Sequence, residues 1–155
     1  MRWARVLVIV MAGLAACTTF PVIKPLYPPV SEPSVTPKVD SLQPTLRWEA
    51  SKTADVSYDV IIYEGIEVVN PNPLLAPSTP QYQVGKMAYY REAIDATEHR
   101  LEEPLKPDRV YFWSVRTRKG DRHSDWARYD YTLFLGVGYT QVTNAMFSFR
   151  TPKTS

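Results

Sequence analysis

Four adjacent residues, Arg122-His123-Ser124-Asp125, bring together the side-chain types of a base, a nucleophile and an acid. Hydrolysis by such a set needs three groups converging in a defined geometry, and neighbours along a strand or loop point different ways. No Gly-x-Ser-x-Gly surrounds Ser124, so the turn that exposes a nucleophile above a sheet is missing. The run reads as a polar turn ahead of Trp126. His99 reads as a strand-surface residue. Glu102-Glu103 is a carboxylate pair beside Pro104, a solvated turn with nothing near it to perturb a pKa for acid–base work. Arg116, Arg118, Lys119 and Arg122 form a small basic patch, read as a solvated outer strand face; contact with an acidic partner or a phosphorylated headgroup is the alternative. The six glycines are scattered and form no phosphate-cradling loop. One Cys and two His are too few for a disulfide framework or a Cys/His zinc site. No convergent acid, base and nucleophile can be named, so the expectation is a non-enzymatic protein without metal or bound cofactor. The 18 basic and 16 acidic side chains lack the basic excess of a nucleic-acid binder.

The lone cysteine carries the sharper signal. Met1-Arg2-Trp3-Ala4-Arg5 is positive, and Val6 to Ala16 is an uncharged run of eleven. That is signal-peptide anatomy, and it falls short of the roughly 20 apolar residues of a membrane span. Its end, Leu14-Ala15-Ala16-Cys17, resembles the lipobox of bacterial lipoproteins. The resemblance implies cleavage before Cys17, a thioether to diacylglycerol, and acylation of the new amino group. Thr18 stands where an Asp commonly marks inner-membrane retention in enteric-type bacteria. The implied location is the outer membrane, with the folded part in the periplasm. Loss of residues 1–16 removes Arg2 and Arg5 and no acid, leaving basic and acidic side chains equal at 16 each. Anchoring then comes from acyl chains, at ~0.8 kcal/mol per buried CH₂, and more than one chain holds stably.

The elements that position any site begin at Thr45. Residues 21–44 hold seven of the fourteen prolines, which exclude a helix and favour polyproline II. Residues 17–44 thus read as a lipidated Cys and tether, about 20 extended residues of which reach roughly 60 Å at ~3.1 Å per residue. The alternative is a strap along the domain, with Ser34–Val39 as a first edge strand. Beyond it the pattern has period two: Leu46 and Trp48, then Tyr58, Val60 and Ile62, then Tyr111, Trp113, Val115 and Thr117. Each is a half-buried strand, and a last strand spans Met146 to Arg150. Met87, Tyr90, Ile94 and Leu101 approximate helical spacing, but an antiparallel sandwich needs strands there. With 155 residues, of which 45% are apolar, the chain supports one such domain.

These residues resemble a fibronectin type III domain over 45–152. Leu46-Arg47-Trp48 is similar to that family's second strand, with Trp48 in the core. Leu105-Lys106-Pro107-Asp108-Arg109-Val110-Tyr111 fits its Leu-x-Pro-x-x-x-Tyr tyrosine corner. Ser124-Asp125-Trp126 resembles the segment before its final strand. The resemblance implies an all-β, immunoglobulin-like antiparallel β-sandwich with Trp48, Tyr111, Trp113 and Trp126 as structural core. The Tyr111 hydroxyl needs a partner near Leu105.

Two departures interrupt the match, at about 66–83 and 127–145. Long loops in compact domains are often functional. The second is unusually apolar and aromatic, suiting an added hairpin or a flap over one sheet. Tyr129, Tyr131, Phe134 and Tyr139 are its candidate partner-binding residues. Tyr129 and Tyr131 share a face if extended, and either extend the core or stand exposed. The sequence reading is an outer-membrane lipoprotein serving as adaptor or accessory subunit of an envelope complex. The alternative is a glycan- or peptidoglycan-binding module, favoured by an exposed Tyr129/Tyr131 platform beside polar groups. Replacing the acylated thiol tests the anchor directly: a Cys17→Ser chain is expected to lose its membrane association on fractionation of cells.

Overall fold

The computed structural model describes residues 20–29, 36–68, 81–134 and 138–153, and every regular element among them is a strand. In chain order these are β1 (Pro25–Tyr27), β2 (Thr45–Trp48), β3 (Ser57–Val68), β4 (Gln81–Ile94), β5 (Glu98–Arg100), β6 (Val110–Lys119), β7 (Arg122–His123), β8 (Tyr129–Phe134), β9 (Tyr139–Ala145) and β10 (Phe147–Arg150). Three strands pair in the order β1-β2-β5; a second sheet runs β10-β6-β3-β4, with β7 added to β6; β8 and β9 pair with each other. The strand pairings are antiparallel.

The period-two residues meet between the two larger sheets. Leu46 and Trp48 face Tyr58, Val60, Ile62, Tyr111, Trp113, Val115, Phe147 and Phe149 in one buried cluster. Trp48 lies 5.5 Å from Tyr58, Tyr111 stacks on Phe149 at 5.8 Å, and Trp113 packs on Phe147 at 6.0 Å between ring centroids. Such aromatic pairs add about 0.5–1.5 kcal/mol each beyond the area they bury. Trp126 is not in this core. It is half-buried, with the Arg116 guanidinium 4.5 Å over its ring. Arg116 alternates with the buried Val115 and so lies on the outer face of its sheet.

The Tyr111 hydroxyl finds the partner that the sequence demands: it accepts the Lys106 N–H at 3.0 Å. Thr151 locks the same turn, donating to the Lys106 carbonyl at 2.7 Å and accepting the Arg109 N–H at 3.0 Å. The segment of helical spacing is strand, in β4 and β5. There β3 supplies a pairing partner along the whole of β4, and tertiary pairing outweighs local helix propensity.

Over its described residues, the proline-rich segment is a strap and not a free spacer. Ile23 is 6% exposed and Val39 3%. Pro25 and Tyr27 pair with β2, and the Glu49 N–H donates to the Lys24 carbonyl at 2.9 Å. Residues 37–39 then border β10: Val39 N–H donates to Arg150 C=O at 3.0 Å, and Arg150 N–H to Pro37 C=O at 2.8 Å. Prolines are tolerated here because an edge strand has N–H positions that no ladder requires. Ser34 and Val35, named for the edge strand, lie outside the described residues; Lys38 makes the bridge to Arg150, in parallel sense.

The two inserts differ from plain loops. β3 continues to Val68 and β4 starts at Gln81, so the two described ends of the first insert, 66–68 and 81–83, are arms of a long hairpin. Three register shifts along this pair bend it. Tyr82 on β4 thereby reaches across β3 and β6 to accept the Arg150 Nη2–H at 2.7 Å. The close crossing needs Gly65, where a Cβ would stand 2.9 Å from the Val110 carbonyl oxygen. The second insert contains the β8–β9 hairpin. Before it, Ser124 and Ala127 bond to Thr117 and Val115 of β6; after it, β10 pairs with the earlier half of the same strand. The hairpin is therefore an excursion within one edge of the larger sheet.

Removing the Tyr111 hydroxyl leaves the Lys106 N–H without its acceptor. Tyr111→Phe is expected to cost about 1–3 kcal/mol, and Trp113→Ala about 3–5 kcal/mol from the cavity it leaves. Urea titration should show both as lower midpoints with the slope unchanged.

Candidate functional site

Where the hairpin leaves the sheet it meets the strap. Val22, Ile23, Lys24 and Pro25 form one wall of a groove, Arg128, Tyr129 and Asp130 another, and Phe147 contributes from β10. The groove holds about 420 Å³, within the usual range for binding clefts. Its floor follows from the core: Tyr129 is half-buried and packs on Phe147 with centroids 5.0 Å apart, while Ile23 is anchored in the buried cluster. Polar groups stand at the rim. Asp130 Oδ1 accepts the Asn144 N–H at 2.8 Å, tying β8 to β9. Lys24 and Arg128 are exposed cations beside the apolar lining.

The residues singled out by sequence separate accordingly. Tyr129 is in the groove. Tyr131, Phe134 and Tyr139 occupy β8 and β9, where Tyr131 pairs with Val142 and Phe134 with Tyr139; their side chains lie outside the description. Leu14, Ala15, Ala16 and Cys17 lie outside the described residues altogether. The Arg122–Asp125 run does not converge. Ser124 is buried, its hydroxyl accepting the Thr117 N–H at 3.1 Å and donating to the Asp125 carbonyl at 2.8 Å, whereas His123 is exposed. Glu102 is paired with Arg91 at 3.5 Å on the surface.

Comparison with protein-family models, curated proteins and solved structures finds no match. The arrangement must therefore be interpreted from its own geometry. Among the described residues, no three His, Cys, Asp or Glu side chains are placed to hold a metal ion.

His99 is not a simple surface residue. It is half-buried, with Nε2 2.6 Å from Tyr89 Oη, and this contact joins β5 to β4 across the open side of the two sheets. Burial pushes the imidazole below its usual pKa of 6.5; Glu102 opposes that shift and Arg91 adds to it.

The main feature missed by sequence is Asp59. Its side chain has no exposed surface. Arg118 grips it with Nε on Oδ1 at 2.8 Å and Nη2 on Oδ2 at 3.0 Å. Arg116 adds Nε on Oδ2 at 2.8 Å, and the Ala93 N–H donates to Oδ1 at 3.2 Å. Glu92 takes a further bond from Arg118 at 2.7 Å. The basic patch is thus half consumed by an acid on the neighbouring strand, since Asp59 stands directly opposite Arg116 in register. The only signal in the sequence was an acid among the alternating residues of β3. Burial alone would push the Asp59 carboxyl up, but the bonds from Arg118, Arg116 and Ala93, with the Arg118 charge, outweigh it and hold the group below 3.8.

A depressed carboxylate stabilises the fold fully above its unfolded-state pKa, and that contribution is lost as pH falls through the lower folded value. The urea midpoint should therefore decline below about pH 4. Asp59→Asn should start lower at neutral pH and flatten this decline, and Asp59→Ala should cost about 3–5 kcal/mol by stranding two partly buried guanidiniums.

Proposed function

We propose that this chain is a non-enzymatic lipoprotein of the bacterial outer membrane. Its periplasm-facing domain, of the fibronectin type III kind, acts as an adaptor in an envelope complex. The observation that carries the adaptor role is the groove between residues 22–25 and the base of the β8–β9 hairpin. Its lining of Ile23, Pro25, Tyr129 and Phe147 suits the apolar side chains of a protein segment, with Arg128 at the rim for its polar groups. Support for the domain type comes from the strand orders β1-β2-β5 and β10-β6-β3-β4, the Tyr111–Lys106 bond, and Trp48 in the core. Anchoring rests on Cys17 and the segment before it.

Protein is favoured over glycan by the pose of Tyr129. A sugar-stacking platform needs an exposed ring face, and this ring is half-buried against Phe147. A photo-crosslinking amino acid at Arg128, in intact cells, tests the reading. One dominant envelope protein should be captured, and Tyr129→Ala should abolish its capture. Capture of abundant neighbours alone would refute the adaptor role, and binding of peptidoglycan fragments in its place would select the glycan-binding module.

A further inference from the structure

The strap changes what lipidation at Cys17 would do to the domain. Phe20 already lies under the Arg122 guanidinium, 5.3 Å from its ring centroid. Four residues later the Lys24 carbonyl is bonded to Glu49, and β1 follows as part of the sheet. Only three residues of chain length separate Cys17 from Phe20. At no more than ~3.6 Å per residue, that link spans about 11 Å. The acyl chains on Cys17 would lie in the periplasm-facing leaflet and hold the Cys17 backbone at its polar region, which is about 5–8 Å deep on each side. Phe20, where the docked chain begins, is therefore held beside the headgroups.

The side chains there alternate in keeping with that placement. Ile23, Pro25 and Pro28 are buried, whereas Val22, Lys24 and Leu26 are exposed. Val22, ahead of β1, is 56% exposed, and Leu26, within it, 49%. We infer that Val22, Lys24 and Leu26 form a membrane-docking strip that lies on the phospholipid surface beside the anchor. Val22 and Leu26 enter the boundary between headgroups and acyl chains. Lys24, with its apolar stem between them, carries its ammonium to lipid phosphate. Chain length sets this placement. Charge is secondary, because the exposed cations Arg122 and Arg128 are interspersed with Asp121, Asp125 and Asp130. The inference rests on the acylation of Cys17 proposed above.

The chain's composition makes the test clean. Cys17 is the only cysteine, so acylation leaves one introduced thiol free for labelling. Val22→Cys, Leu26→Cys and Glu103→Cys replace exposed side chains. Glu103 follows β5 beyond the Thr45 end of β2, whereas Lys24 lies by the Trp48 end. Each acylated full-length chain would carry an environment-sensitive dye. Each would be reconstituted in vesicles of phosphatidylethanolamine and phosphatidylglycerol containing nitroxide-labelled lipid. The expected result is several-fold stronger quenching at positions 22 and 26 than at 103. Equal, weak quenching at all three positions in chains that are acylated and float with the vesicles would overturn the docking strip and leave the anchor standing. Absence of acylation and flotation would bring down the anchor and the strip together.

Discussion

The fold depends on how a sandwich with open sides is closed. Two sheets of alternating residues bury one face each and leave edge strands whose backbone groups are unpaired. Here the chain before the first core strand closes one side, that of β2 and β10. β1 borders β2 in one sheet, and residues 37–39 border β10 in the other. Ile23 and Val39 drop into the core from these two stretches. The same residues that finish the hydrophobic core thus bring the chain's N-terminal side against the domain. A proline-rich arm, which in isolation would be a spacer, becomes a wall of the structure.

On the outer face of the larger sheet the dominant effect is charge burial. Asp59 would be costly to desolvate alone. It is retained because Arg116 and Arg118 lie within reach on the adjacent strand and Ala93 adds a backbone donor. The resulting cluster fixes the relation of β3, β4 and β6, and it leaves Arg116 oriented over Trp126. What would be an array of solvated cations is a structural lock, which argues against treating this face as a general anion-binding surface.

The candidate groove lies instead where regular pairing is interrupted. The edge formed by Ser124–Ala127 and then β10 is broken by the β8–β9 hairpin. The break opens a groove between the hairpin's base and the strap. Because Val22 and Lys24 belong to both the groove and the exposed strip beside the anchor, a partner of the groove on the proposed anchored protein would be met at the bilayer surface, not deep in the periplasm. This couples the two proposals physically: the proposed adaptor's geometry would be set by where the proposed lipid is attached.

Much of the scaffold was legible in the residues. Period-two spacing located β2, β3 and β6, and it chose Trp48, Tyr111 and Trp113 for the core, because alternation is a local consequence of strand geometry. The Leu105–Tyr111 spacing anticipated the hydroxyl bond to Lys106. Trp126 was misassigned because a local motif does not say which face of a sheet a following segment covers. The helical spacing near Met87, the strap, and the arms of the 66–83 insert were settled only by pairing between distant strands. Asp59 and its arginines are separated by 57 and 59 residues, so their union is invisible until register is known. Of the candidate site, sequence supplied Tyr129 and the aromatic character of its insert. The groove itself joins residues from 22 to 147. By itself the sequence determined which residues seek burial, since that is a property of each side chain and its immediate spacing. The tertiary structure decided what they are buried against and where the surface stays open, since those depend on contacts the chain makes only when its ends are brought together.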